Sequence, residues 1–331
     1  MDSLINPSFV EDSTAHYLLD LSLVVPIYNE YESIPRLLEV ISEAMETVNL
    51  TYEIICIDDG SADGSADLLR KFASERQDVT ALLLRRNYGQ TAAMAAGFDY
   101  ARGRVIITLD GDLQNDPKDI PKLMSKLDEG YDLVSGWRKH RKDNQVTRLL
   151  PSKLANWLIG RVTGVSLHDY GCSLKAYRTE VVRDMNLYGE LHRFLPVLAF
   201  IEGARIAELP VNHYARQFGK SKYGLGRTFR VVMDLMTVYF MKRFLTKPMH
   251  VFGLLGLLSM IAGLATGTYL TLLKFSTGQD IGDRPLLILA IVLFLTGIQL
   301  FSFGLLAELL MRTYHESQKR PIYRVREVLR T

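Results

Sequence analysis

The chain has 331 residues and a formal net charge of +2 at pH 7, long enough for more than one domain. That balance carries no strongly basic footprint, so no nucleic-acid partner is expected. Its two cysteines, Cys56 and Cys172, belong to no CxxC or Cys/His cluster and read as reduced thiols.

Residues 1–20, MDSLINPSFVEDSTAHYLLD, are polar without a long apolar run. They read as a polar leader and not as a signal peptide. Leu21–Tyr28 (LSLVVPIY) is the first expected strand. Ser33–Val48 follows with helical spacing of Ile34, Leu37, Leu38, Ile41 and Met45. A second strand, Tyr52–Ile57, ends in Asp58-Asp59-Gly60-Ser61 and leads into a helix over Asp63–Phe72. Val79–Leu84 is a third strand, and Gln90–Ala101 an Ala-rich helix stopped at Gly103. Val105–Leu109 is a fourth strand, Pro117–Glu129 a helix and Tyr131–Val134 a fifth strand.

Strands alternating with helices of this length predict an α/β fold with a mostly parallel sheet. Such sheets bind ligands beyond the carboxyl ends of their strands. Here those ends carry Tyr28-Asn29-Glu30, Asp58-Asp59-Gly60-Ser61 and Asp110-Gly111-Asp112. Neither GxGxxG after the first strand nor GxxxxGK[ST] occurs, so a dinucleotide site and a P-loop are not expected. Asp110 and Asp112 at the mouth of a buried strand are costly without a positive partner. A hard divalent cation shared with a phosphate would supply it, Gln114 adding an amide oxygen and Gly111 letting the backbone turn. On these residues alone a polar strand-capping turn explains the motif equally well.

Beyond the sheet, Leu149–Val162 reads as a helix, Leu191–Ile201 as another and Arg205–Val211 as an edge strand. His213–Arg227 (HYARQFGKSKYGLGR) is a basic Gly/Ser loop, able to close over phosphates or to serve as a solvated linker. Thr228–Phe244 places Phe229, Met233, Met236, Phe240 and Phe244 at helical spacing, flanked by Arg227, Arg230, Lys242 and Arg243. Directly before a membrane span, it reads as an amphipathic interfacial helix over 225–247.

Met249–Phe275 has a single charged residue, Lys274, and Pro285–Ala307 has none. Each exceeds the ~20 apolar residues that cross a bilayer. Two spans, about 249–275 and 285–311 within a region 248–312, are expected to form an antiparallel hairpin. Basic residues cluster outside it, at Lys242, Arg243 and Lys247 before, and at Arg312, Lys319, Arg320, Arg324, Arg326 and Arg330 after. Both termini, including a basic tail over 313–331, are therefore expected in the cytoplasm, with the protein multi-pass in the plasma (inner) membrane. Gly253, Gly256, Gly263 and Gly267 offer close-packing faces, and a homo-oligomer is expected.

Val25-Pro26-Ile27-Tyr28-Asn29-Glu30, Asp58-Asp59-Gly60-Ser61-Ala62-Asp63, Arg86-Asn87-Tyr88-Gly89-Gln90 and Asp110-Gly111-Asp112-Leu113-Gln114 follow one another in this order. Together they resemble the inverting glycosyltransferases of family 2, which have a GT-A fold. The run from His213 to Tyr223 and the two spans narrow the resemblance to polyprenyl-phosphate glycosyltransferases such as dolichyl-phosphate mannose synthase and bactoprenol glucosyl transferase. It covers roughly residues 20–312. It implies a GT-A catalytic domain over 21–224 that moves a hexose from a nucleotide sugar to polyprenyl (undecaprenyl) phosphate for the cell envelope. UDP-glucose is the first expected donor and GDP-mannose the second.

The resemblance also implies roles. Pro26, Tyr28, Glu30, Asp58, Asp59, Arg86 and Asp110 would bind the donor. Asp110, Asp112 and Gln114 would hold Mg²⁺ or Mn²⁺. Arg138, Arg148 and Ser152 fall where related synthases hold the lipid phosphate, and Arg216, Ser221 and Lys222 in the closing loop. Arg148 and Ser152, a helical turn apart, share a face. Asp110, Asp112 and Asp169 would form the catalytic set, Asp169 either orienting the acceptor or anchoring a neighbouring Arg. Polysaccharide-extending synthases of the superfamily carry QxxRW, and neither Trp137 nor Trp157 follows an Arg. A non-enzymatic flippase subunit or nucleotide-sugar sensor is the remaining alternative, and the intact acids favour an enzyme.

Overall fold

The computed structural model describes residues 17–139, 156–157, 159–161, 163–185, 187, 191–215, 248–278, 280–282, 284–317 and 322–330. Arg148, Ser152, Arg216, Ser221 and Lys222, the interfacial helix expected over 228–244 and most of the leader lie outside them. The chain divides into one unit of Met1–Asp234 with Pro321–Thr331 and a second of Leu235–Arg320.

The first unit alternates as expected through β1 (Leu19–Ile27), α1 (Ile34–Met45), β2 (Tyr52–Asp58), α2 (Ser65–Glu75), β3 (Val79–Leu84), α3 (Gln90–Tyr100) and β4 (Gly103–Thr108). The helix expected over Pro117–Glu129 opens as a 3-10 turn, Pro117–Asp119, before α4 (Ile120–Asp128). Then come β5 (Leu133–Trp137), β6 (Lys175–Arg178), α5 (Thr179–Asp184), a 3-10 turn over Leu191–Arg193, α6 (Leu195–Ile201) and β7 (Ile206–Pro210).

One sheet holds the strands in the order β7-β5-β6-β4-β1-β2-β3-β8, where β8 is Val325–Leu329. Strand β1 lies between β2 and β4, parallel to both. The sheet is mostly parallel, with β6 running antiparallel between β4 and β5. Strands covered on both faces must be apolar throughout. Thus Leu21, Leu23, Val25 and Ile27 pack with α1 residues Ile34, Leu37, Leu38 and Ile41 in one core. On the opposite face α3 comes so close that a Cβ at Gly97 would meet Val24 Cγ1 at 2.3 Å.

Two strands escape the sequence reading. β6 is short and carries a lysine, and β8 lies in the segment expected to be only a basic tail. β8 instead pairs antiparallel with β3. It is held by Arg70–Glu327 at 2.9 Å and by the Tyr323 hydroxyl donating to Asp99 at 2.7 Å.

The second unit contains α7 (Pro248–Thr277) and α8 (Pro285–Ser317). The stretches Phe252–Thr277 and Pro285–Ala307 are long and apolar enough to cross a membrane. Their shared contact is built on glycine. A Cβ at Gly256 would meet the Gly297 carbonyl at 2.7 Å, and one at Gly263 the Ala290 carbonyl at 2.7 Å. Ser259 Oγ donates to the Leu293 carbonyl at 2.7 Å. Gly256 and Gly263 are therefore spent inside the hairpin, not on a second copy, whereas a Cβ at Gly267 would meet nothing within 4 Å.

Candidate active site

Apolar strands β1, β2 and β4 stop together, and their first polar residues meet at one end of the sheet. The loops after β1 and β2 are stitched to each other. Asn29 N donates to Ser61 Oγ at 2.9 Å, Ala62 N to Asn29 Oδ1 at 2.8 Å, Glu30 N to Ser65 Oγ at 3.1 Å and Tyr31 N to Asp63 Oδ2 at 3.0 Å. Asn29 adopts φ 53° to do so, a left-handed conformation that Asn tolerates better than most residues. Ser33 Oγ donates to Glu30 Oε2 at 3.1 Å, which fixes a predicted donor carboxylate. Tyr28 is exposed at the rim.

Asp58 and Asp59 separate in role. Asp58 accepts from Ser61 N at 3.3 Å. Asp59 spends one oxygen on Tyr88 N at 2.7 Å and the other on Gly89 N at 2.9 Å, so it anchors the loop before α3. Burial raises the pKa of both above the carboxylate norm, against their hydrogen bonds. Gly60, at φ 72°, lets the two loops touch, because a Cβ there would sit 2.5 Å from the Arg86 carbonyl carbon. The Arg86 guanidinium covers the Tyr88 ring at 4.4 Å.

After β4 the chain turns through Asp110–Asn115. The left-handed residue is Leu113, at φ 61°, and not Gly111, whose added Cβ would make only ordinary contacts at 3.5 Å. The expectation that Gly111 provides the turn is thus corrected. Leu113 folds the chain so that Gln114 N returns to Asp112 Oδ1 at 3.2 Å. Gln90 Nε2 reaches Asp110 Oδ1 at 2.9 Å, and Asn115 Oδ1 holds the Asp110 amide at 3.1 Å. Burial and the charge of Asp112 push Asp110 up to about 6.

The first residues of the basic loop are sutured to this turn. Tyr214 N donates to the Gln114 carbonyl at 2.9 Å and Gln114 Nε2 to the Tyr214 carbonyl at 3.3 Å. The Tyr214 hydroxyl and Asn212 Nδ2 donate to Asp116 at 2.9 and 3.0 Å, and Asn212 N donates to Asp119 at 2.6 Å. The start of the loop that carries Arg216, Ser221 and Lys222 is therefore fixed beside Asp112.

From the other side, Arg138 grips Asp169 with Nε at 2.6 Å and Nη2 at 2.9 Å, while Gly171 N donates to the same carboxylate at 3.0 Å. Burial alone would raise the Asp169 pKa, but the guanidinium wins and lowers it. These bonds are the geometry of the Arg-anchoring alternative for Asp169, and a carboxyl held ionised this way is a weak base. Arg138, predicted for the acceptor phosphate, already spends two nitrogens on it.

Gln90 closes the Arg86–Gln90 motif but has no role expected of it, while Asn115, Ser173 and Lys175 belong to this site and carry no sequence signal of their own. The antiparallel return of β6 puts Ser173 and Lys175 beside β4. Ser173 Oγ donates to Asn115 Oδ1 at 2.8 Å.

Among the described residues no group of three or more His, Cys, Asp or Glu is positioned for a metal. The pair Asp110 and Asp112 still suits a hard cation. Two neighbouring carboxylates, one with its pKa raised by burial and by the charge of the other, supply oxygen ligands and need positive charge.

A relative from Rhizobium johnstonii, dodecaprenyl-phosphate galacturonate synthase, is 48% identical over 314 residues, covering 94% of this chain and 93% of its own. The chain belongs to glycosyltransferase family 2. Glycosyl transferase family 2 matches residues 22–185, and a second family, the GtrB C-terminal hairpin, matches residues 247–312. Glucosyl-3-phosphoglycerate synthase from Mycobacterium tuberculosis, with Mn²⁺, UDP and its product, superposes with a TM-score of 0.53 at 19% identity. It covers 68% of this glycosyltransferase and 80% of its own chain. The UDP complex of that enzyme gives 0.51 at 21%, with the same coverage. At that identity the likeness shows the GT-A fold alone.

Proposed function

We propose that the protein transfers a hexuronic acid, galacturonate, from its UDP derivative to a polyprenyl monophosphate at the cytoplasmic membrane face. The observation that carries this reading is the 48% identity to the galacturonate synthase over nearly both whole chains, catalytic domain and hairpin included. It favours a uronic acid over the UDP-glucose expected from the sequence.

Asp110 and Asp112 would hold Mg²⁺ or Mn²⁺, with Gln114 beside them. When bound, the ion neutralises charge on the departing nucleoside diphosphate. The chain's own residues do the rest. Tyr28, Glu30, Asp58 and Asp59 line the nucleoside end, the last by fixing the Tyr88–Gly89 loop. An acceptor monophosphate has a second pKa of about 6, so it arrives largely as a dianion and needs no strong base. Its oxygen attacks the anomeric carbon as the bond to the diphosphate breaks, and one displacement inverts that centre. Arg138, oriented by Asp169, would meet the acceptor phosphate, with Arg148 and Ser152 proposed to complete the site. The basic flanks of the hairpin support cytoplasmic termini.

The test is a screen of purified protein with polyprenyl phosphate against UDP-galacturonate, UDP-glucose and GDP-mannose. Organic-extractable sugar from UDP-galacturonate alone supports the reading. Transfer from UDP-glucose in preference to it overturns the choice of sugar.

A further inference from the structure

Lys175 is 3% exposed. A lysine so deep is costly unless its charge is answered. Its ammonium donates to the Cys172 carbonyl, a neutral partner. It stands opposite Thr108 in the register of β4 and β6, two residues before Asp110. The Thr108 hydroxyl donates to the Ser173 carbonyl at 2.6 Å. Ser173 in turn holds Asn115, which holds the Asp110 amide. One strand pairing and a short relay therefore place Lys175 under the floor of the acidic turn, too deep to touch a substrate.

Besides its burial, Asp110 feels the charges of Asp112, Arg138 and Lys175 among the described residues. Arg138 is already matched by Asp169 on two hydrogen bonds. Lys175 is a second buried cation acting on Asp110, and it bears on Asp169 as well. Two carboxylates and one ammonium leave a net charge of −1, and a divalent cation takes the cluster to +1. That sign receives a diphosphate. Without the ammonium the loaded cluster would be neutral.

We infer that Lys175 is a positioning residue, a buried positive charge that weakens the site's hold on a divalent cation and strengthens its hold on a nucleoside diphosphate. The inference rests on the reading of Asp110 and Asp112 as metal ligands. It predicts effects of opposite sign from one substitution, which a merely structural role does not produce.

The experiment uses the full chain in detergent. Mn²⁺ alone is titrated into wild type, Lys175→Met and Lys175→Gln, and UDP is then titrated into each at saturating Mn²⁺. Folding is checked by near-UV circular dichroism. Removing the charge should tighten Mn²⁺ about tenfold and weaken UDP about tenfold. If both affinities fall, or neither moves, in a folded variant, the inference is wrong. If neither variant folds, Lys175 is a fold determinant and the assignment fails. If wild type itself takes up no Mn²⁺, the metal reading falls first. Wild-type uptake with an unchanged variant overturns the inference alone.

Discussion

Arg138 and Asp169 form a two-pronged pair, Nε to Oδ2 at 2.6 Å and Nη2 to Oδ1 at 2.9 Å, with both side chains nearly buried. Arg138, expected at the acceptor phosphate, and Asp169, expected either to orient the acceptor or to anchor an Arg, are one electrostatic unit. Removing one partner of such a pair strands the other charge. Asp169→Ala should cost about 3–5 kcal/mol of stability, read as a shift in the denaturant midpoint. The Asp169 pKa lies below its ordinary 3.8, so the pair's contribution is complete above that value. It is lost as pH falls below it, and the wild-type advantage over Asp169→Asn should vanish only there.

Gly60 joins the Asp58–Asp59 loop to Arg86 and Asn87 at φ 72°. Gly60→Ala would add both backbone strain and a 2.5 Å clash with main chain. A loss of about 1–3 kcal/mol is expected, with weakened UDP binding. Thermal unfolding and calorimetry check the two effects, and an unchanged UDP affinity would separate Gly60 from the donor site.

Proton and metal compete for Asp110. Because its carboxyl titrates at about 6 in the metal-free protein, a cation must displace a proton below that pH. Mn²⁺ affinity should be flat above about pH 7 and fall as pH drops through 6. Calorimetric titrations between pH 5 and 8 read this directly. An affinity independent of pH would place the ion elsewhere.

β8 covers the edge of β3, and its ion pair Arg70–Glu327 is partly exposed. Glu327→Ala should therefore cost under about 1 kcal/mol. Deleting residues 321–331 uncovers a whole strand edge, and an open edge invites pairing with other chains. The truncated protein should aggregate in size-exclusion chromatography while Glu327→Ala stays monodisperse. Equal behaviour of the two would contradict β8 as an edge cover.

How far the sequence could be read follows from these contacts. β1, β2 and β4 were legible because each is an apolar run that ends abruptly in Asp, Asn or Gly, and the spacing between runs fits a helix. The hairpin was legible from its lack of charge. β6 was not, because Lys175 breaks the apolar pattern and its partners are set by an antiparallel crossing far along the chain. β8 alternates Val325, Arg326, Glu327, Val328 and Leu329 within a basic segment, too short to announce a strand. The stitching of Asn29 to Ser61 and of Tyr214 to Gln114 joins residues distant in sequence. No local pattern encodes it. The turn at Asp110–Asn115 misled for a physical reason, since Gly111 is the residue most able to take a left-handed φ and Leu113 is the one that does.

Asp110 and Asp112 are proposed to serve sugar transfer to a lipid phosphate. The direct measurement is label from UDP-[¹⁴C]galacturonate entering the organic phase with polyprenyl phosphate, for wild type and Asp112→Asn. Metal-dependent label in the wild-type lipid fraction, reduced at least about a hundredfold in a folded Asp112→Asn variant, is the expected result. Full transfer by Asp112→Asn, or wild-type label confined to the aqueous phase with every nucleotide sugar, would contradict the account.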